Sequence, residues 1–153
     1  MYGDLNTPMK PLHEASMFSL LVCTQVFEHV RNPHNAADVL YNLLLPGGLL
    51  IWTAPFMERF HGFDLISPQD HLRYTAPGGL RLLLDHGFEL VDAYVGGDLS
   101  LTILYFLGYG ERDLSPSTQF LIPYNQWQKS KTGQHGLNKY DFSLITCLLL
   151  RKQ

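Results

Sequence analysis

"FSLLVC", residues 18–23, is an apolar run that only Ser19 interrupts. A continuous apolar run of this length is typical of a parallel strand whose two faces are both covered. It is followed directly by "TQVFEHV", residues 24–30, in which Glu28 stands beside His29. The pattern predicts a buried strand with two ionisable side chains just beyond its carboxyl end.

Helices and strands alternate along the rest of the chain. Asn32 and Pro33 form a helix-start signal, and apolar residues then recur at helical spacing until Pro-Gly-Gly at residues 46–48. Further strands are predicted over residues 49–53, 88–95 and 142–150, and further helices over residues 77–86 and 99–109. This alternation predicts an α/β fold with an open, mostly parallel sheet and flanking helices.

The size of the chain suits a single domain. Its 153 residues, 46% hydrophobic and 16% charged, are enough to bury a core. Residues 1–153 show no repeat and no boundary, and residues 96–140 are predicted to be an insertion or lid-like region within the domain.

Composition and charge disfavour several classes of partner and location. With 11 Lys and Arg against 14 Asp and Glu, the chain lacks the basic surface of a nucleic-acid-binding protein. No apolar stretch reaches the ~20 residues of a membrane-spanning helix, and no secretory signal is recognised at the start. Two cysteines, Cys23 and Cys147, lie in apolar runs and are interpreted as reduced and structural, which favours a cytoplasmic location.

Potential binding residues gather at one edge of the predicted sheet. Ligands of open α/β sheets bind beyond the carboxyl ends of the strands. Residues 24–29 and 53–74 follow two such ends, and the second segment is long and without period, as functional loops often are. This loop carries His61, His71, Arg73 and Tyr74.

Three stretches in this order carry a family resemblance: "FSLLVCTQVFEHV", "LLLPGGLLIWTAPF" and "HLRYTAPGGLRLLLDHGFELV". They resemble the later motifs of class I S-adenosylmethionine-dependent methyltransferases of the small-molecule type, type 11-like, over residues 3–95. The resemblance implies a partial Rossmann-like fold, S-adenosylmethionine as cofactor, and methyl transfer to a small-molecule acceptor. It also implies that the strand over residues 18–23 is the fourth of seven.

The resemblance implies site residues one by one. The cofactor would be contacted near the adenine by Asp4 and its neighbour Leu5, and otherwise by the residues that follow the first strand: Thr24, Gln25, Val26 and His29. Independently of the resemblance, if a substrate hydroxyl is deprotonated here, a histidine is the suitable base, and His61 or His71 is the candidate. Arg73 and Tyr74 would contact the substrate, or would instead hold the loop against the next helix.

Two interpretations of Glu28 stay open. Its carboxylate would be favoured in the first turn of a short helix by the helix dipole, or it would belong to the cofactor rim. His29 is interpreted as a rim residue, with packing under the loop as the alternative. Some related methyltransferases place two glutamates, spaced Glu-x-x-Glu-His, around a divalent ion. Here Gln25 takes the first position, so no metal is expected, and the alternative metal site is Glu28, His29 and His71.

The sequence contains neither the glycine-rich turn nor the acidic strand end with which the resembling family begins. We therefore expect a truncated, C-terminal part of a methyltransferase, inactive as it stands or completed by another chain. The strand over residues 18–23 would then be an open edge, which favours association. The alternative function is a noncatalytic interaction module. In that case a second copy of the chain, in a homo-oligomer, or a different partner chain would cover the open edge.

Overall fold

The computed structural model describes residues 4–6, 17–61, 70–97, 99–109 and 144–153. Within these ranges one sheet contains four strands: β1 (Phe18–Thr24), β2 (Leu44–Pro55), β3 (Phe88–Gly96) and β4 (Ile145–Lys152). The described α-helices are α1 (Pro33–Leu43), α2 (Ala76–Asp85) and α3 (Leu99–Phe106). A short 3-10 turn, Phe27–His29, follows β1. Of the region predicted as an insertion, residues 98 and 110–140 lie outside the described residues.

The strand order of the sheet is β1-β2-β4-β3. β1 and β2 are parallel, and β4 is antiparallel to both β2 and β3. Three of the four strands therefore run in one direction, and the last strand of the chain lies inside the sheet. The predicted open α/β sheet is confirmed.

The core lies between one face of the sheet and helices α1 and α2. Trp52 and Leu50 on β2 and Leu150 on β4 are fully buried there. Each helix begins at a side-chain cap, since the Asn32 oxygen accepts a hydrogen bond from the Asn35 amide and α2 begins in the same way at Thr75. The caps and the apolar spacing explain why the predicted helices form.

The other face of the sheet is open over the described residues. This face of β1 carries every second side chain of the strand: Phe18, Leu20 and Val22. They are 40%, 49% and 61% exposed. The prediction that this strand is covered on both faces was therefore wrong for the described residues. Its side chains are apolar, but α1 and α2 both pack on the opposite face.

The strand β2 begins five residues earlier than predicted, at Leu44. Phe18 pairs with Leu44 and Leu20 pairs with Leu49, so a bulge in β2 takes up Pro46 and its neighbours. Gly47 has a positive φ of 75° in this bulge, a conformation that glycine adopts without strain. Pro46 and Gly47 therefore lie inside β2, which begins directly after the last residue of α1.

Among the described residues, no helix has the length and apolar character needed to cross a membrane. Cys23 and Cys147 are both free thiols, as predicted. Burial raises the pKa of the Cys23 thiol to about 12, so this group is an inert part of the core.

Candidate functional site

The loops that follow β1 and β2 meet at the carboxyl end of the sheet. The backbone carbonyl of Glu28 accepts a hydrogen bond of 2.6 Å from the amide of His71. We call this surface the rim, made by residues 24–30 after β1 and by residues 56–61 and 70–75 after β2. The sequence predicts that these segments lie together, and the backbone hydrogen bond shows how they are joined.

The chain leaves β1 through a strained turn. Gln25 has a φ of 53°, a left-handed backbone conformation that few residues other than glycine adopt. Two hydrogen bonds to Thr53 on β2 hold it, one from the Gln25 amide to the carbonyl (2.9 Å) and one from Nε2 to Oγ1 (3.1 Å). Thr24 is exposed at the strand end and Val26 packs against the core.

Glu28 is fully buried, and its two carboxylate oxygens have no hydrogen-bond partner among the described residues. Two imidazoles lie close to it: His29 Nε2 is 3.6 Å and His61 Nε2 is 3.9 Å from Oε1. Burial raises the pKa of the Glu28 carboxyl, which its own backbone amide and the two imidazoles partly oppose. Glu28 does lie in the first turn of the short 3-10 helix, as the helix-dipole interpretation expects, but that interpretation does not account for the complete burial of the carboxylate.

The orientation of the His61 ring is fixed by acceptors on one side. Its Nδ1 lies 3.3 Å from the carbonyl oxygen of Arg59 and 3.5 Å from Asp70 Oδ2. A carbonyl can only accept a hydrogen bond, so Nδ1 carries the proton in the neutral ring. The unprotonated Nε2 then faces Glu28 and His29, whose ring stacks edge-on with that of His61 at 5.3 Å.

Asp70 and Arg73 hold the second loop in shape. The guanidinium of Arg73 donates to both carboxylate oxygens of Asp70 and to the backbone carbonyls of Glu58 (3.1 Å) and Arg59 (2.9 Å). The hydrogen bond from Arg73 lowers the pKa of the Asp70 carboxyl to about 2. Asp70 also accepts a hydrogen bond of 2.8 Å from the backbone amide of His61. The pair therefore positions His61.

Sequence reasoning missed Asp70 as a site residue. The signal that was present is its i,i+3 spacing to Arg73, which is typical of an ion pair in a turn of helix or a tight loop. Its contact with His61 could not be predicted, because no periodicity in the loop relates the two positions.

Of the two histidines predicted as the base, the structure brings only His61 to the buried carboxylate. The His71 side chain is exposed, and the described contact of this residue with Glu28 is made by its backbone. The metal-compatible group within the described residues is accordingly Glu28, His29 and His61, with His61 in the place for which His71 was considered.

The two residues predicted to contact the substrate, Arg73 and Tyr74, make hydrogen bonds within the protein. Tyr74 is buried, donates a hydrogen bond of 3.4 Å to the Phe27 carbonyl and packs edge-on against Trp52. The Arg73 guanidinium is hydrogen-bonded to Asp70 and to the backbone carbonyls of Glu58 and Arg59. Both side chains hold the loop, and their contact with substrate stays a prediction.

The segment predicted to lie near the adenine is docked beside the start of α1. Leu5 accepts a hydrogen bond of 2.8 Å from the Asn35 side chain, and Asn6 accepts one of 2.7 Å from the Arg31 amide. Asp4 in turn accepts from the Asn6 amide at 2.9 Å. These hydrogen bonds place residues 4–6 near the start of α1.

Helix α3 contacts the part of the rim that follows β2. Tyr105 donates a hydrogen bond of 3.3 Å to Glu58 Oε1, and the guanidinium carbon of Arg59 lies 4.7 Å from the centre of the Tyr105 ring. These contacts join α3 to the loop that carries His61.

Comparison with solved structures decides the fold. A chain in the complex of the Haloferax volcanii Trm112 methyltransferase activator with a protein assigned as a methyltransferase superposes with a TM-score of 0.56 at 14% identity, over 97% of this chain and 59% of that one. An S-adenosylmethionine-dependent methyltransferase of Mesorhizobium loti superposes with a TM-score of 0.54 at 10% identity, over 98% of this chain and 67% of that one. The chain has the S-adenosylmethionine-dependent methyltransferase fold. No protein-family model and no curated protein matches its sequence.

The methyltransferase fold does not by itself define the reaction. The cyclase SpnF superposes equally well, with a TM-score of 0.52 at 20% identity over 98% of this chain and 54% of its own. The chain therefore spans about half to two thirds of the length of these structures. Activity, substrate and partners have to be argued from the rim.

Proposed function

We propose that this chain binds S-adenosylmethionine at the rim and takes part in methyl transfer to a small-molecule acceptor. The observation that supports the proposal is the convergence of residues 24–30 with His61 at the carboxyl end of a sheet with the methyltransferase fold. Ligands of open α/β sheets bind at this end. The free thiols favour a reducing, cytoplasmic setting for the activity.

The residues at the rim fit one side of the cofactor. Thr24 is exposed at the strand end, and the strained turn at Gln25 directs the chain away from it. Asp4 lies near the start of α1, and its carboxylate is an acceptor that suits the exocyclic amine of adenine. We assign the cofactor contacts to Asp4, Leu5, Thr24, Gln25, Val26 and His29.

When bound, S-adenosylmethionine supplies a methyl group that is activated toward nucleophiles. The task of this chain is to orient the acceptor and to take up its proton. His61 Nε2 is suited to accept a proton, because Nδ1 is occupied by the Arg59 carbonyl and Asp70. The partly exposed imidazole, 38% accessible, leaves room for a small acceptor beside it.

Titration calorimetry of the whole chain with S-adenosylhomocysteine tests the proposal. We expect saturable binding to one site, abolished by Thr24→Arg, which places a long side chain across the strand end. Ser19→Arg is the matched control, since Ser19 is exposed near the other end of β1. If chain shown to be folded by circular dichroism gives no binding heat, the proposal is wrong.

A second function is favoured by the open edge of the sheet. β1 pairs with β2 on one side, and no described residue pairs with its other side. With Phe18, Leu20 and Val22 exposed beside this edge, we propose as the alternative a noncatalytic module that binds a second copy of the chain by strand pairing. One structural neighbour, from Haloferax volcanii, was solved in complex with the activator protein Trm112. Such a complex is compatible with an interface on this fold.

Sedimentation equilibrium distinguishes this alternative. We expect the wild type to associate and Val22→Lys to shift it to monomer. Val91→Lys is the control, since Val91 is a comparably exposed residue on β3, the opposite edge strand. A monomeric wild type, or an equal effect of the two substitutions, would exclude association through β1.

A further inference from the structure

The buried carboxylate of Glu28 poses an electrostatic problem that hydrogen bonding within the described residues does not solve. Glu28 Oε1 and His61 Nε2 face one another at 3.9 Å, and both carry lone pairs when the ring is neutral. His29 Nε2 lies 3.6 Å from the same oxygen. These distances exceed a normal hydrogen bond, so a proton is poorly shared among the three atoms. Burying an ionised carboxylate without such bonds is costly, and either protonation or a bound cation removes that cost.

We propose that Glu28, His29 and His61 bind a divalent transition metal of the Zn²⁺ type through one carboxylate oxygen and two imidazole nitrogens. The three ligand atoms lie within 4.8 Å of one another. Metal–ligand bonds of about 2.1 Å in a tetrahedron place neighbouring ligand atoms roughly 3.4 Å apart. The two distances to Glu28 Oε1, 3.6 and 3.9 Å, need only small side-chain movements to reach this value.

The surroundings of His61 support a ligand role. Ligating histidines commonly give their second ring nitrogen to a carbonyl or a carboxylate, which fixes the tautomer and the ring plane. His61 Nδ1 faces the Arg59 carbonyl and Asp70, and Asp70 is itself held by Arg73. His29 and His61 are 40% and 38% exposed, so an ion can approach the two imidazoles from solvent.

The ligand set selects the class of metal. Two imidazoles with one carboxylate suit Zn²⁺, Co²⁺ or Fe²⁺, whereas Mg²⁺ and Ca²⁺ prefer oxygen ligands. Gln25, whose side chain is hydrogen-bonded to Thr53, does not add a charged oxygen. The site is thus not the oxygen-rich one that two glutamates would make.

A second pair of imidazoles in the chain provides the contrast. His86 Nδ1 lies 2.6 Å from Asp38 Oδ1, and His86 Nε2 lies 3.0 Å from His34 Nδ1. In this group the atoms are close enough to share hydrogens directly, so no cation is needed. The two groups therefore allow a matched experiment.

The proposed metal site shares His29 and His61 with the proposed methyl-transfer site, so the two proposals are tested by separate measurements. With the metal bound, Nε2 of His61 is coordinated, and an acceptor hydroxyl bound to the metal would lose its proton more readily because the metal lowers its pKa. Without the metal, Nε2 is available as the base proposed above.

The test is titration of the EDTA-treated whole chain with ZnCl₂ alone, followed by Co²⁺ substitution and visible spectroscopy. We expect one equivalent of Zn²⁺ to bind, a raised melting temperature, and d–d absorption bands of a four- or five-coordinate Co²⁺ site. His61→Ala and Glu28→Gln should each weaken binding at least about tenfold. His34→Ala should leave it unchanged, and Mg²⁺ should not compete.

Three results would overturn the metal site: no binding of Zn²⁺ by the folded wild type, loss of binding in His34→Ala but not in His61→Ala, or equal competition by Mg²⁺. Melting curves of the metal-free variants show whether each variant is folded, and Glu28→Gln is chosen because it preserves shape. S-adenosylhomocysteine binding is measured on the same samples. Failure of Zn²⁺ binding with that binding intact refutes the metal site alone, and the reverse refutes only the proposed function.

Discussion

Glu28 combines complete burial with a carboxylate that lacks hydrogen bonds among the described residues. Without metal, its ionised form is therefore unfavourable in the folded protein. A neutral amide of the same shape avoids most of this cost, although it too is left without partners. We expect Glu28→Gln in EDTA to raise the free energy of unfolding by about 1 kcal/mol at pH 8.

The sign of the pH dependence follows from the raised pKa of Glu28. The folded state holds the proton more tightly than the unfolded state, so the penalty is absent below about pH 4 and grows as the pH rises. The difference between Glu28→Gln and wild type in urea unfolding should accordingly shrink from pH 8 to pH 4. A difference that does not change with pH, or one matched by Glu89→Gln on the exposed surface of β3, would contradict this assignment.

Asp70 shows the opposite behaviour because its pKa is lowered, to about 2, chiefly by the hydrogen bond from Arg73. Its contribution to stability is present above the unfolded pKa and is lost as the pH falls toward 2. We expect Asp70→Asn to reduce the free energy of unfolding by about 2 kcal/mol at pH 7, with a smaller loss at pH 3. Asp85→Asn, which breaks the exposed pair with Arg81, is the control and should cost less than about 0.5 kcal/mol.

At the scale of elements, helix α2 is positioned by a glycine against the core. A Cβ built at Gly79 would lie 2.7 Å from Cη2 and 2.8 Å from Cζ3 of Trp52, and this ring is fully buried. Gly79→Ala should therefore destabilise the protein by about 2 kcal/mol, in spite of the helix propensity gained. The adjacent Gly78→Ala would meet only the Thr75 hydroxyl at 2.9 Å and should change stability by less than about 1 kcal/mol in chemical denaturation. Equal effects would exclude the contact with Trp52 as the cause.

The helices could be predicted closely from the sequence, and the exposure of the strands could not. Caps at Asn32 and Thr75 and the apolar spacing are local signals, so α1 and α2 begin within a residue or two of the predicted positions. The apolar run of β1 looks the same whether one face or two are covered. Which face is covered depends on where α1 and α2 pack, and that is set by distant residues. The early start of β2 depends on a bulge opposite Phe18, which is also non-local.

Some residues of the candidate site could also be recognised from the sequence, and others could not. Glu28 and His29 are adjacent in sequence and could be recognised there, as could their place after a strand. His61 and Asp70 come from a loop without periodicity, and only the folded backbone brings His61 to within 3.9 Å of Glu28. Choosing between His61 and His71 therefore required the structure.

For the whole molecule, the strand order makes the end of the chain structurally central. β4 pairs with β2 on one side and β3 on the other, and its Leu148 and Leu150 are buried in the core. Without β4, β3 has no partner strand among the described residues, and the core face of β2 loses its neighbour. We expect a chain ending at Leu144 to lose its cooperative thermal transition and to bind a hydrophobic dye. Arg151→Ala, an exposed position on the same strand, is the control and should melt like the wild type. A truncated chain that still melts cooperatively would show that the sheet is stable without its inner strand.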